Sequence, residues 1–109
     1  GTPMAREKFQ TLTEQMFYIL LCLQRECCGA DIVERVRQMT RDRVVIGPGT
    51  LYSLLESFQQ EDFIRVARVE GRKKSYLITP EGRRRLAEEV RRLRQQTEDY
   101  ETFGEGEQA

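Results

Sequence analysis

The stretch "VIGPGTLYSLLESFQQEDFI", residues 45–64, decides the fold. A β-branched pair runs into Gly47-Pro48-Gly49, and beyond that break Leu51, Leu54, Leu55 and Phe58 recur at helical spacing. Pro48 fits the first position of a helix, where a missing N–H costs nothing. The first turn then shows Thr50, Tyr52 and Ser53, side chains that form hydrogen bonds but offer no activated nucleophile. The stretch holds no His and no Cys, and its acids are scattered. A sharply started helix of this kind points to a contact surface rather than to a reaction.

Downstream, "FIRVARVEGRKKSYLIT" (63–79) changes period. Ile64, Val66, Arg68 and Glu70 alternate against Arg65, Ala67 and Val69, and Tyr76 and Ile78 alternate again later. Glu70-Gly71 with Arg72 is turn chemistry, so the segment reads as a hairpin with a basic tip of Arg72, Lys73 and Lys74, and Arg65 and Arg68 on the incoming strand. "TPEGRRRLAEEVRRLRQQTEDYETF" (79–103) follows as a long helix, with Thr79 as cap, Pro80 first and Glu81 at the positive end. Leu86, Val90, Leu93, Thr97 and Tyr100 step by four and three, a heptad seam that suits a second copy of the same helix.

Upstream, "LTEQMFYILLCLQRE" (12–26) is a helix capped by Thr13, with Leu12 placed to staple onto Phe17. Its wide apolar face, Met16, Phe17, Leu20, Leu21 and Leu23, predicts burial. A short helix over residues 4–10, with Phe9 inward, is expected before it. "GADIVERVRQMTRD" (29–42) is a further helix with Ile32, Val33, Val36 and Met39 facing in. "RVVI" (43–46) is long enough for one short strand.

At 109 residues and 39% hydrophobic, the chain makes one small domain with a thin core, for which a partner or self-association adds stability. No apolar run approaches the twenty residues of a membrane span. Gly1, Thr2 and Pro3 read as a cloning remnant before Met4, with no signal-peptide core. Net charge is zero, yet it is unevenly spread. All 18 Lys and Arg precede residue 95, beside 13 acids, which leaves that part at +5, and the acids Glu98, Asp99, Glu101, Glu105 and Glu107 follow it. Cys22, Cys27 and Cys28 are odd in number, and no His accompanies them, so neither a disulfide framework nor a His-containing zinc site is expected. Reduced thiols in the cytoplasm are the simplest reading, with Cys27-Cys28 as small hydrophobes at a helix end. Oxidant sensing or soft-metal binding is the alternative for that pair. An enzyme is disfavoured: paired carboxylates, a phosphate-cradling Gly loop and metal-ligand spacing are all missing.

Three helices and a two-stranded hairpin make a winged helix-turn-helix, mainly α with a small β-hairpin (α+β). The expected units are a DNA-binding domain over residues 4–79, a dimerisation helix over 80–103 and a disordered tail over 104–109. In this arrangement the third helix enters the DNA major groove by its N-terminus. Pro48 and Gly49 would open backbone N–H groups to a phosphate, while Thr50, Tyr52 and Ser53 contact backbone or base edges. Arg72, Lys73 and Lys74 would anchor the hairpin on phosphates and release counterions. Taken alone, Thr50 and Tyr52 fit capping and packing as well as they fit contact, and a short basic run also fits a solvated turn. Their combination at this spacing favours DNA.

"LTEQMFYILLCLQ" (12–24), "IGPGTLYSLLESFQQEDFI" (46–64) and "RKKSYLITPEG" (72–82) together resemble the PadR family of bacterial transcriptional regulators over roughly residues 12–94. The resemblance implies a winged helix, a C-terminal dimerisation helix and a two-fold symmetric operator. It also implies repression relieved by a small hydrophobic or aromatic effector. Residues Phe17, Val90 and Leu93 match the family's pocket positions, where a filled hydrophobic dimer core fits at least as well, and the seam Leu86, Val90, Leu93, Thr97 and Tyr100 suits the implied dimer. Ser57, Asp62 and Ser75 stand where the family has Arg, Gly and Tyr, and the chain has no Trp to stack on an effector. A second reading stays open: a winged-helix module that docks proteins and binds no DNA, which the zero net charge and acidic tail fit.

Overall fold

The computed structural model of the chain describes residues 11–106. The helix expected over residues 4–10, with Phe9, lies outside the described residues. The elements are α1 (Glu14–Cys22), β1 (Cys27–Cys28), α2 (Gly29–Thr40), α3 (Pro48–Gln60), β2 (Ile64–Glu70), β3 (Lys73–Ile78) and α4 (Pro80–Phe103). The three strands form one antiparallel sheet in the order β1-β3-β2.

Local chemistry sets the boundaries. The Thr13 hydroxyl accepts the Met16 N–H at 3.2 Å and starts α1. The Thr79 hydroxyl accepts the Gly82 N–H at 2.9 Å to start α4, and donates to the Asp62 carbonyl at 2.6 Å. That one side chain therefore ties the C-terminal turn of α3 to the first turn of α4. Left-handed residues Arg41 and Asp42 (φ 52° and 63°) end α2, and Asp62 (φ 63°) turns the chain from α3 into β2. Asp62 thus adopts the conformation that a glycine would take at no steric cost.

Residues from every element meet in one core. Ile19, Leu20, Leu23, Ile32, Val36, Leu51, Leu55, Phe58, Ile64, Ile78 and Leu86 are all buried there. Gly82 is the closest approach: a Cβ there would lie 2.1 Å from the Phe63 carbonyl oxygen, so only glycine lets α4 start against β2. On α4, Glu89 is buried among partners, accepting the Leu12 N–H at 3.1 Å and pairing with Arg85 and Arg92. Burial pushes its carboxyl up, but the hydrogen bond from Arg92, the Leu12 amide and the two guanidinium charges outweigh this and hold it below the usual range.

Four expectations are corrected. The segment 43–46 forms no strand: Val44 and Ile46 drop into the core while Val45 faces solvent, an extended alternation that pairs with nothing. The third strand is instead Cys27–Cys28, paired with Tyr76 and Ser75 of β3, and Cys28 is at the same time the N-cap of α2. Met39 does not face the core; it is 44% exposed, and Thr40 is buried in its place, donating to Val36 and accepting the Val44 N–H. The hairpin alternation breaks between Val66 and Arg68, where an extra residue, Ala67, bulges the strand.

Candidate nucleic-acid interface

Leu51, Leu55 and Phe58 are pinned in the core, so the opposite face of α3 must look outward. Pro48, Gly49, Thr50, Tyr52 and Ser53 are accordingly all exposed. Gly47 caps the helix with no side-chain hydrogen bond, and the first turn carries no acid. The first turns of α1, α2 and α4 carry Glu14, Asp31 and Glu81. The positive end of α3 is left for something else to neutralise. Gly47 and Gly49 have open space where a Cβ would stand, and neither is left-handed. The fold itself does not require glycine at either place; an approaching backbone would.

The hairpin turns through Gly71 (φ 61°) and Arg72, which puts Lys73 and Lys74 on the first residues of β3. Tyr52, Arg72, Lys73 and Lys74 line one cleft of about 290 Å³ together with Cys28, Gly29, Ala30 and Tyr76. The sequence pattern pointed to the first four. It missed the start of α2, although a glycine opening a helix is a signal of close approach. The approach is observed: a Cβ on Gly29 would lie 3.2 Å from the Tyr52 hydroxyl and 3.5 Å from the Tyr76 ring. Tyr52 therefore both packs on α2 and keeps half its surface free. Burial raises the Tyr76 hydroxyl pKa, and the neighbouring Tyr52 and Cys28 add to it.

Among the described residues, no carboxylate pairs with Arg72, Lys73 or Lys74. Arg68 differs: Glu26 at 3.1 Å and Glu70 at 3.7 Å neutralise it on the strand leading into the turn. Arg65 is exposed.

The three expected pocket residues do not share one cavity. Phe17 divides two shallow grooves between α1 and α4, one running past Leu21, Leu86 and Val90, the other past Leu12, Tyr18 and Leu93. Along the heptad seam Leu86 is buried and Val90 half-buried, while Leu93 (41%), Thr97 and Tyr100 (60%) are exposed. The cysteines are free. Burial, followed by the nearby Cys27, pushes the Cys22 thiol up to about 12, and burial also raises Cys27, so both sit as neutral thiols. No group of three or more His, Cys, Asp or Glu that could hold a metal ion occurs among the described residues.

Residues 19–88 match the model of the transcriptional regulator PadR-like family. None of the curated proteins matches the chain. Among solved structures, a transcriptional regulator from Clostridium thermocellum shares the fold with a TM-score of 0.70 and 22% identity, over 85% of this chain and 98% of that one. Bacillus subtilis PadR, solved in complex with operator DNA, has a TM-score of 0.64 and 22% identity over 73% of this chain and 48% of that one. BpsR of Bordetella bronchiseptica, whose DNA binding is regulated by 6-hydroxynicotinic acid, has a TM-score of 0.65 and 26% identity over 89% of this chain and 64% of that one.

Proposed function

This chain belongs to the transcriptional regulator PadR-like family, and from that premise we propose that it is a DNA-binding repressor acting as a homodimer on a two-fold symmetric operator. One observation carries the reading: exposed Tyr52 and the unpaired cations Arg72, Lys73 and Lys74 border the same cleft, beside a helix end with no side-chain cap. In this role the N–H groups behind Pro48 and Gly49 take a phosphate oxygen. Thr50, Tyr52 and Ser53 then reach backbone or base edges, and the hairpin cations fix the register on the neighbouring phosphates. Residues up to Thr79 form the DNA-binding unit. Pro80–Phe103 is the dimerisation helix, with Leu86, Val90, Leu93, Thr97 and Tyr100 as its seam.

Two findings bear on control. BpsR responds to a small aromatic acid, and the grooves on either side of Phe17 lie between the body and the proposed dimerisation helix. A small hydrophobic or aromatic effector seated beside Val90 or Leu93 would shift that helix and with it the spacing of the two DNA-reading surfaces.

The test is fluorescence anisotropy on random and chain-upstream duplexes across a salt series. A repressor binds both at low salt, loses the random duplex steeply as salt rises and retains the specific one. A docking module, the reading that zero net charge favours, binds neither at any salt, and that result would overturn the proposal.

A further inference from the structure

Independently of the DNA reading, we propose that Cys22 and Cys27 form a two-thiolate site for a soft, singly charged cation of the copper(I) class.

The sequence makes neighbours of Cys27 and Cys28, but the sheet parts them. Successive residues of a strand point to opposite faces. Cys27 turns into the core and is 3% exposed, while half-buried Cys28 lines the cleft beside Tyr52 and Tyr76. The sulfur that meets Cys27 is that of Cys22, the last residue of α1: the two thiols hydrogen-bond each other. Cys27 also donates to the Cys28 carbonyl at 3.4 Å.

Two sulfurs in contact suit a soft ion, because thiolate ligands select copper(I) over harder cations. The number of ligands narrows the choice. Among the described residues no third His, Cys, Asp or Glu joins a metal-holding group, so zinc, which takes four ligands, is poorly served. Calcium and magnesium take oxygen ligands, and these are sulfur. A pair of thiolates alone satisfies an ion that accepts linear coordination.

Charge narrows it again. On binding, both S–H bonds break, two metal–sulfur bonds form and two protons leave to water. A singly charged cation held by two thiolates carries one net negative charge, which is costly to bury without a partner. Arg35 is that partner: its guanidinium hydrogen-bonds the Cys22 sulfur, and its charge acts on Cys27 as well. Asp31 opposes Arg35 at Cys27, but more weakly. A doubly charged ion would make a neutral complex and gain nothing from the arginine.

The ion also has a way in. Cys22 and Arg35 line a groove of about 380 Å³ between α1 and α2, shared with the thioether of Met39, which is 44% exposed. A thioether is itself a soft donor and gives an entering copper(I) a first foothold.

The experiment titrates the full chain, reduced and kept free of oxygen, against the copper(I) complex of bicinchoninate, whose colour fades as the chain takes the ion. The chain is expected to withdraw one ion per molecule, with two sulfur neighbours in X-ray absorption, and to keep it in excess zinc(II). Cys22→Ala and Cys27→Ala, each with native circular dichroism, are expected to lose the site, and Cys28→Ala to retain it. Arg35→Met alters only an exposed side chain, so it stays informative even where a buried cysteine variant fails to fold. It is expected to weaken copper(I) binding about tenfold or more. A wild-type chain that leaves the colour unchanged would overturn the proposal, as would a folded Cys22→Ala chain that binds like the wild type. Loss of binding in Cys28→Ala, or more than two ligands in X-ray absorption, would overturn the assignment to Cys22 and Cys27. Wild-type affinity in Arg35→Met would overturn the singly charged ion.

Discussion

At the scale of single residues, Gly82 and Lys73 mark the difference between what holds the fold and what the fold offers. A methyl at Gly82 would meet the Phe63 carbonyl at 2.1 Å, and that carbonyl already accepts the Thr79 N–H at 2.9 Å. Backbone cannot give way as a flexible side chain would. Gly82→Ala is therefore expected to cost about 1–3 kcal/mol in thermal or urea unfolding; an unchanged midpoint would contradict the close approach. The sequence did not reveal this glycine, because the constraint comes from a residue nineteen positions earlier in the chain. Lys73 is the opposite case: exposed, unpaired and irrelevant to packing. Lys73→Ala should leave the unfolding midpoint alone, weaken specific and random duplex binding alike, and flatten the slope of log K against log salt by about one unit. A slope that does not move would remove Lys73 from the phosphate contacts. The basic run was legible because consecutive cations at a turn have no core to enter.

At the scale of elements, α4 does two jobs along its length. Its first half is body: Gly82, Arg85, Leu86 and Glu89 are buried, and Glu89 reaches the Leu12 amide at the start of α1. Glu89 has a folded pKa below its unfolded value, so its charge stabilises the fold above the unfolded pKa, and that contribution is lost as pH falls through the folded value. Glu89→Gln should then cost about 3 kcal/mol near neutral pH by removing the buried carboxylate charge that Arg85 and Arg92 face. The penalty should shrink as pH falls below the ordinary Glu value and through the lowered folded one, where the wild-type carboxylate itself takes up a proton. An equal penalty at pH 3 and pH 7 in urea titrations would show that the ion pairing is not the cause. The sequence presented Glu89 as one more charge on a wet helix. Only the packing of Leu12 against it made it internal. By contrast, the caps at Thr13 and Thr79 were legible, since an N-cap acts within three residues of itself. The strand at Cys27–Cys28 was not, because two residues carry no period and their pairing with Tyr76 spans half the chain.

At the scale of the whole molecule, the body closes on itself and the far end of α4 does not. Among the described residues, a chain ending at Arg92 loses only exposed ones, so its body should fold, with a helical signal smaller only by the turns removed. If the outer seam makes the dimer, that chain should sediment as a monomer where the full chain sediments as a dimer, and its affinity for a symmetric operator should fall by two orders of magnitude or so as the second half-site contact is lost. A truncated chain that stays dimeric would move the interface elsewhere. The sequence by itself determined the order of the helices and the hairpin, the helix starts and the division into a basic body and an acidic end, because each depends on neighbours within a few residues. The tertiary structure alone decided that Tyr52 leans over Gly29 beside Lys73, that Phe17 separates two grooves rather than lining one, and that Met39 faces outward. Those facts depend on how helices cross, and crossing is settled by the packing of side chains far apart in the chain, which no local period records.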